Sequence, residues 1–202
     1  MGKINWRGGA LVAPVPPVMV SCGKDENKNI ITIAWTGIIN TVPPKTYISV
    51  RPKRHSYNII KESGEFVINL TPSHLVRTAD FCGIYTGAKV DKFKKCGLTP
   101  SQSASVSSVS IAECPMSLEC KVTDIIPLGS HDMFLADIVS VSVDESLIDE
   151  KGALHLDRAN LAAFAHGEYF ELGKKLGTFG FSVKKSKKGK NVNKKGKAPH
   201  KN

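Results

Sequence analysis

The densest run of chemically active side chains is SVRPKRHS, residues 49–56, where a β-rich segment ends in Arg51, Lys53, Arg54 and His55 before Ser56 opens a helical pattern. A helix N-terminus offers unpaired N–H donors and the positive end of its dipole, and a hydroxyl beside a guanidinium completes a cradle for phosphate. Ser56 with Arg51 or Arg54 is therefore an expected anion site, although the same residues would also make a capped helix with solvated basic neighbours. Trp35 and Thr36 end the neighbouring strand just before Gly37. An aromatic and a hydroxyl at that place suit a flat, hydrogen-bonding ring that carries a phosphate.

Other chemistries lack their residues. There is no GxSxG, HExxH, Walker loop or GxGxxG, and the nearest glycines, GTFG at 177–180, follow no strand-turn-helix pattern. The five cysteines, Cys22, Cys82, Cys96, Cys114 and Cys120, are an odd number with no CxxC spacing, and read as reduced thiols rather than a metal or redox motif. Cys114 and Cys120 are expected in one extended stretch, facing the same way as buried small hydrophobes.

The elements that must hold these residues are mostly strands. IITIAWT (30–36) and KTYISV (45–50) read as adjacent strands across a turn at Asn40, Pro43 and Pro44. A short helix follows from Ser56 to Gly64, then a strand EFVINL (65–70), then a helix from a Thr71 cap with Pro72 at its first position to Gly83. A short helix is expected across VDKFKK, and the Ser-rich stretch 101–110 as a mobile loop. The long alternating runs 116–126 and 132–143, joined by PLGSH, predict a hairpin. Residues 157–166 read as short helix or loop, and FGFSV (179–183) as a last strand. The fold class is mainly β with short helices, and strands so spaced predict a closed or partly closed antiparallel barrel.

Composition narrows the class. The 202 residues are 41% hydrophobic, 23% charged and 7% aromatic, enough for one sizeable core, and 1–183 reads as one domain. No apolar run approaches the ~20 residues of a membrane-spanning helix, and the proline-broken N-terminal segment resembles no secretory signal, so the expected location is cytoplasmic. The net charge of +10 sits in the tail: residues 184–202 hold nine lysines and no acid, and the rest carries 19 basic against 18 acidic side chains. The tail has almost no apolar residue and is expected to be disordered. A solvated extension is favoured there over a polyanion-binding arm.

The stretch NIITIAWTGIINTVPPKTYISVRPKRHSYNIIKESGEFVINL, followed in order by VDKFKKCGLTP, AECPMSLECKV, IPLGSHDMFLADIVSV and FAHGEYFELGKKLGTFGFSV, resembles the flavin reductase-like, FMN-binding split-barrel family over residues 10–183. The resemblance implies an FMN-binding split β-barrel, a homodimer with one FMN per protomer, reduced by NAD(P)H or a redox partner protein. Asn29, Trp35, Ser56, Lys92, His131 and Phe164 match positions of that family which meet the flavin, Ser56 at its phosphate. A cation near the pyrimidine edge of a reduced flavin raises its potential, a part Lys92 would play. Thr36 and Arg51 are added as cofactor-binding residues, Arg51 for the phosphate, and His166 as a neighbour of the nicotinamide or acceptor.

Many flavin reductases carry Ser and Asp just before the paired prolines, where this chain has Asn40, Thr41 and Val42. The departure points away from release of free reduced flavin and toward a tightly held FMN that passes electrons to an acceptor, a protein or small molecule. The alternative within the family is an NAD(P)H:FMN oxidoreductase. A third reading, a flavin-free barrel binding nucleic acid through the basic tail, is disfavoured because the strands lack repeated exposed aromatics.

Overall fold

The computed structural model describes residues 2–183. Seven strands form one antiparallel sheet: β1 (Val18–Cys22), β2 (Asn29–Ile33), β3 (Thr36–Asn40), β4 (Lys45–Val50), β5 (Glu65–Asn69), β8 (Met116–Pro127) and β9 (Asp132–Val143), in the order β2-β1-β5-β8-β9-β4-β3. The two edge strands, β2 and β3, are consecutive in sequence and joined only by Ala34 and Trp35. So short a link forces the sheet to curl until its first and last strands meet without pairing, which is a barrel split along one seam. Trp35 stands at that seam.

Burial follows the pleat. In β4 Thr46, Ile48 and Val50 point inward, so Tyr47 and Ser49 take the opposite face. Inside the curl, Val18, Val20, Ile31, Ile33, Ile48, Val50, Phe66, Ile68, Phe134 and Ala136 form the main core, plugged at one end by Tyr57, Ile59 and Ile60 of α1 (His55–Ser63). α1 stops at Gly64, whose left-handed φ of 68° lets its N–H reach the Ile60 carbonyl. On the outer face, Met19 and Ile30 pack against Ala79 and Cys82 of α2 (Val76–Ile84) and Phe93 of α3 (Lys92–Cys96). Two short pairs complete the chain: β6 (Pro100–Ser101) with β7 (Ser110–Ile111), and β10 (Ala162–Ala165) with β11 (Glu168–Glu171).

The mainly β, split-barrel expectation holds, with local corrections. β1 was not foreseen. The 30–36 strand is two strands broken at Ala34–Trp35, and β3 rather than β2 pairs with β4. The 157–166 stretch contains β10, and Phe181–Val183 form a single 3-10 turn instead of a strand. Thr71 caps nothing: its buried hydroxyl has no hydrogen-bond partner, and a 3-10 turn precedes α2. The Ser-rich loop is tied down, Glu119 accepting from the Ala104 and Ser105 amides at 2.9 and 2.6 Å. Cys114 and Cys120 are both buried but join different cores, Cys114 preceding β8. The lysine tail lies outside the described residues.

Candidate functional site

Two cavities open along the seam. The larger, about 350 Å³, is lined by Ile31–Trp35 at the β2 edge, Ser49, Val50 and Arg51 at the end of β4, Arg54, His131 from the β8–β9 turn, and Phe164 of β10. The smaller, about 140 Å³, is lined by Asn29, Ile31, Lys53, Arg54, His55, Ser56, Lys92 and the loop Tyr85–Gly87. Ile31 and Arg54 wall both, so one elongated ligand can occupy the two together.

The ends differ in chemistry. At the wide end Trp35 packs edge-on against His131, centroids 4.6 Å apart and planes at 76°. Arg51 Nε donates to His131 Nε2 at 3.3 Å, which places the ring proton on Nδ1, facing Ser130 Oγ at 2.9 Å. Burial, with Arg51 and then Arg54, holds the His131 pKa below the usual histidine value, so the ring stays neutral near pH 7. Phe164 is fixed by paired backbone hydrogen bonds with Val15 and an edge contact with Tyr169.

The narrow end is polar and cationic. Asn29 Nδ2 donates to Ser56 Oγ at 2.8 Å, both residues being buried. A Cβ at Gly87 would collide with the Asn29 carboxamide, so the loop's close approach requires glycine. Lys92, only 3% exposed, donates to the carbonyls of Ile30 and Cys82 at 2.6 and 2.8 Å. An ammonium has three donors, and the third is left for the cavity. Burial lowers the Lys92 pKa to about 8, with Arg54 pushing the same way. Arg54 is anchored by its bond to the Gly83 carbonyl at 2.6 Å. Two cations held beside a buried amide and hydroxyl, at the first turn of α1, match a phosphate.

The expected residues therefore divide. Asn29, Ser56 and Lys92 meet at the narrow end, and Trp35, Arg51, His131 and Phe164 at the wide end. Ser56 is not the helix cap, which is Arg54; it is the second residue of α1 and lines the cavity. Arg51 sits with His131, so the geometry gives the phosphate place to Arg54. Thr36 spends its hydroxyl on the Tyr47 carbonyl and lines a neighbouring chamber, and His166 is exposed on the β10–β11 turn, away from both cavities. Tyr85, Thr86 and Gly87 were missed, their one sequence signal being the turn-rich composition after α2, and Lys53 of the basic run joins the narrow end. Cys22, Cys82, Cys114 and Cys120 are pushed up to about 12 by burial, and are unreactive thiols.

An aromatic cleft joined to a cationic pocket fits a flat ring carrying a phosphate, as FMN does. Residues 12–173 match the family described as flavin reductase like domain. The chain is 32% identical to flavoredoxin of Desulfovibrio vulgaris (Miyazaki F), covering 91% of this chain and 100% of that one, with a TM-score of 0.84. An FMN-binding protein from Thermus thermophilus, solved with bound 1-cyclohex-2-enone, shares the fold at 20% identity and a TM-score of 0.73, over 88% of this chain and 99% of that one. An uncharacterized protein of Archaeoglobus fulgidus is 31% identical over 126 residues, 62% of this chain and 71% of its own length.

Proposed function

The chain belongs to the flavin reductase like domain family, and from that premise we propose that it is an electron-transfer flavoprotein, holding FMN tightly and passing electrons to an acceptor. The observation that carries this reading is the junction of cleft and pocket through Ile31 and Arg54. When bound, FMN supplies the redox chemistry, taking electrons from NAD(P)H or a redox protein.

The chain's own residues bind and orient. Lys92, Arg54 and Ser56 hold the phosphate, and Asn29, fixed by Gly87, positions the Ser56 hydroxyl toward it. Trp35, Phe164 and the neutral His131 bound the ring, while Arg51 keeps His131 in one tautomer. The proposed reaction needs no protein nucleophile or general base, because the cofactor carries the chemistry.

The homodimer belongs to the same proposal. Ile38, Ile39 and Val42 are exposed on the β3–β4 hairpin, whose Pro44 carbonyl accepts from Ile138, and Val139 and Val141 are exposed just beyond. Apolar residues grouped this way on an edge suit burial against a second copy.

The test is the visible spectrum of the purified chain before and after long dialysis, followed by anaerobic NADH and NADPH. Retained flavin that bleaches with a nicotinamide supports a bound-FMN oxidoreductase, and retention without bleaching supports a carrier fed by another protein. Colour lost on dialysis and restored by FMN would favour the flavin reductase that releases its product, and a chain that never takes up FMN would refute the reading.

A further inference from the structure

A third cavity lies on the far side of the Trp35–His131 wall. It measures about 560 Å³, is open to solvent, and is lined by the N-terminal arm at Gly9–Val12 and Val15, by Tyr47 and Ser49 on the outward face of β4, and by Leu128 and Ser130 of the β8–β9 turn. Trp35, Ser49, Arg51 and His131 face both this chamber and the ring cleft. The arm is held in place where Val15 exchanges two backbone hydrogen bonds with Phe164, at 2.9 and 2.8 Å. Val15, in an isolated bridge, thus links the arm that lines the chamber to the aromatic that bounds the cleft.

The lining is unusual in its charge. Leu11, Val12, Val15, Ala34, Tyr47 and Leu128 supply apolar surface, Arg51 is the one permanently charged group, and no Asp or Glu lines the chamber. His131 stays neutral because burial, and after it the charges of Arg51 and Arg54, disfavour its protonation. The other guanidinium N–H groups have no hydrogen-bond partner among the described residues. An apolar chamber with one cation and free donors in a fork complements a small ring-bearing carboxylate.

We propose that this chamber binds a small aromatic or alicyclic carboxylate, its ring under the N-terminal arm and its carboxylate on Arg51. The assignment rests on the FMN reading only in that the ligand would lie across the Trp35–His131 wall from the flavin; the charge argument stands on the chain alone. Such a molecule is the chemical class of acceptor or effector the site would select.

Isothermal titration calorimetry of the FMN-loaded full chain tests it, with benzoate and the uncharged benzamide as probes. Benzoate is expected to bind with a Kd of about 1 mM or better, and at least about tenfold more tightly than benzamide, the scale of a charge-assisted hydrogen bond. Arg51→Met should abolish that preference, and Leu11→Trp, which fills the chamber, should weaken both ligands. Arg51 is exposed, so its replacement leaves the core untouched. Absence of benzoate binding to a chain that holds FMN, equal affinity for the two probes, or a preference that survives Arg51→Met would each overturn the proposal. If the chain takes up no FMN, the flavin reading fails separately, and benzoate binding to the flavin-free chain still decides the chamber.

Discussion

At the scale of single residues, Lys92 and Gly87 carry the sharpest consequences. The buried Lys92 ammonium titrates near 8 in the folded chain against an ordinary value of 10.5. Between those values the unfolded chain holds more protons, so the flavin-free protein should gain stability as pH rises from about 8 toward 10.5; below 8 the cost of burying the charge is present in full and Lys92 adds no pH dependence. FMN affinity should move the opposite way, falling above pH 8 as the cation is lost. Denaturant titrations and FMN binding curves across pH 7–10 check both signs, and Lys92→Met should flatten both while weakening FMN at least about tenfold. Gly87→Ala drives a methyl into the Asn29 carboxamide. It should cost about 1–3 kcal/mol in stability and shorten flavin retention, read by thermal unfolding and dialysis.

At the scale of elements, the Ser-rich loop hangs on two carboxylates, Glu65, which accepts from the amide and hydroxyl of Ser107, and the buried Glu119. Glu119 is 1% exposed in β8 and accepts the amides of Ala104 and Ser105. Glu119→Gln replaces one acceptor oxygen with a donor, which should cost about 1–3 kcal/mol and open 101–110 to proteolysis while leaving the seam intact. This tether could not be read from the sequence, because a serine-rich run gives no sign of an acid fourteen or more residues later that binds its backbone. The same limit hid β1: VMVSC is buried on both faces and shows no alternation. The β8–β9 hairpin and β4, with their alternation and punctuating turns, were legible, whereas the meeting of Lys92 with Asn29 and Ser56 was not, because the family pattern set Lys92 at the pyrimidine edge of the ring and Ser56 at the phosphate. Arg51 and Arg54 could not be told apart by sequence, since only the curl of the sheet turns one toward His131 and the other toward Ser56.

At the scale of the whole molecule, the split barrel makes its site from the two edges that fail to pair, and a second copy would cover the exposed hairpin beside them. Ile39→Asp together with Val139→Asp should shift the chain from twice its monomer mass to monomer by light scattering; a wild-type chain that is monomeric at micromolar concentration would remove the dimer from the account. The central claim is that cleft and pocket bind one ligand, ring at one end and phosphate at the other. Its most direct test is a side-by-side titration of the flavin-free chain with FMN and with riboflavin, which differ only in the phosphate. The account predicts that FMN binds at least about a hundredfold more tightly, a gap of about 2.7 kcal/mol, and that Arg54→Met and Lys92→Met each narrow it. Equal affinity for the two flavins, or binding of neither, would contradict it.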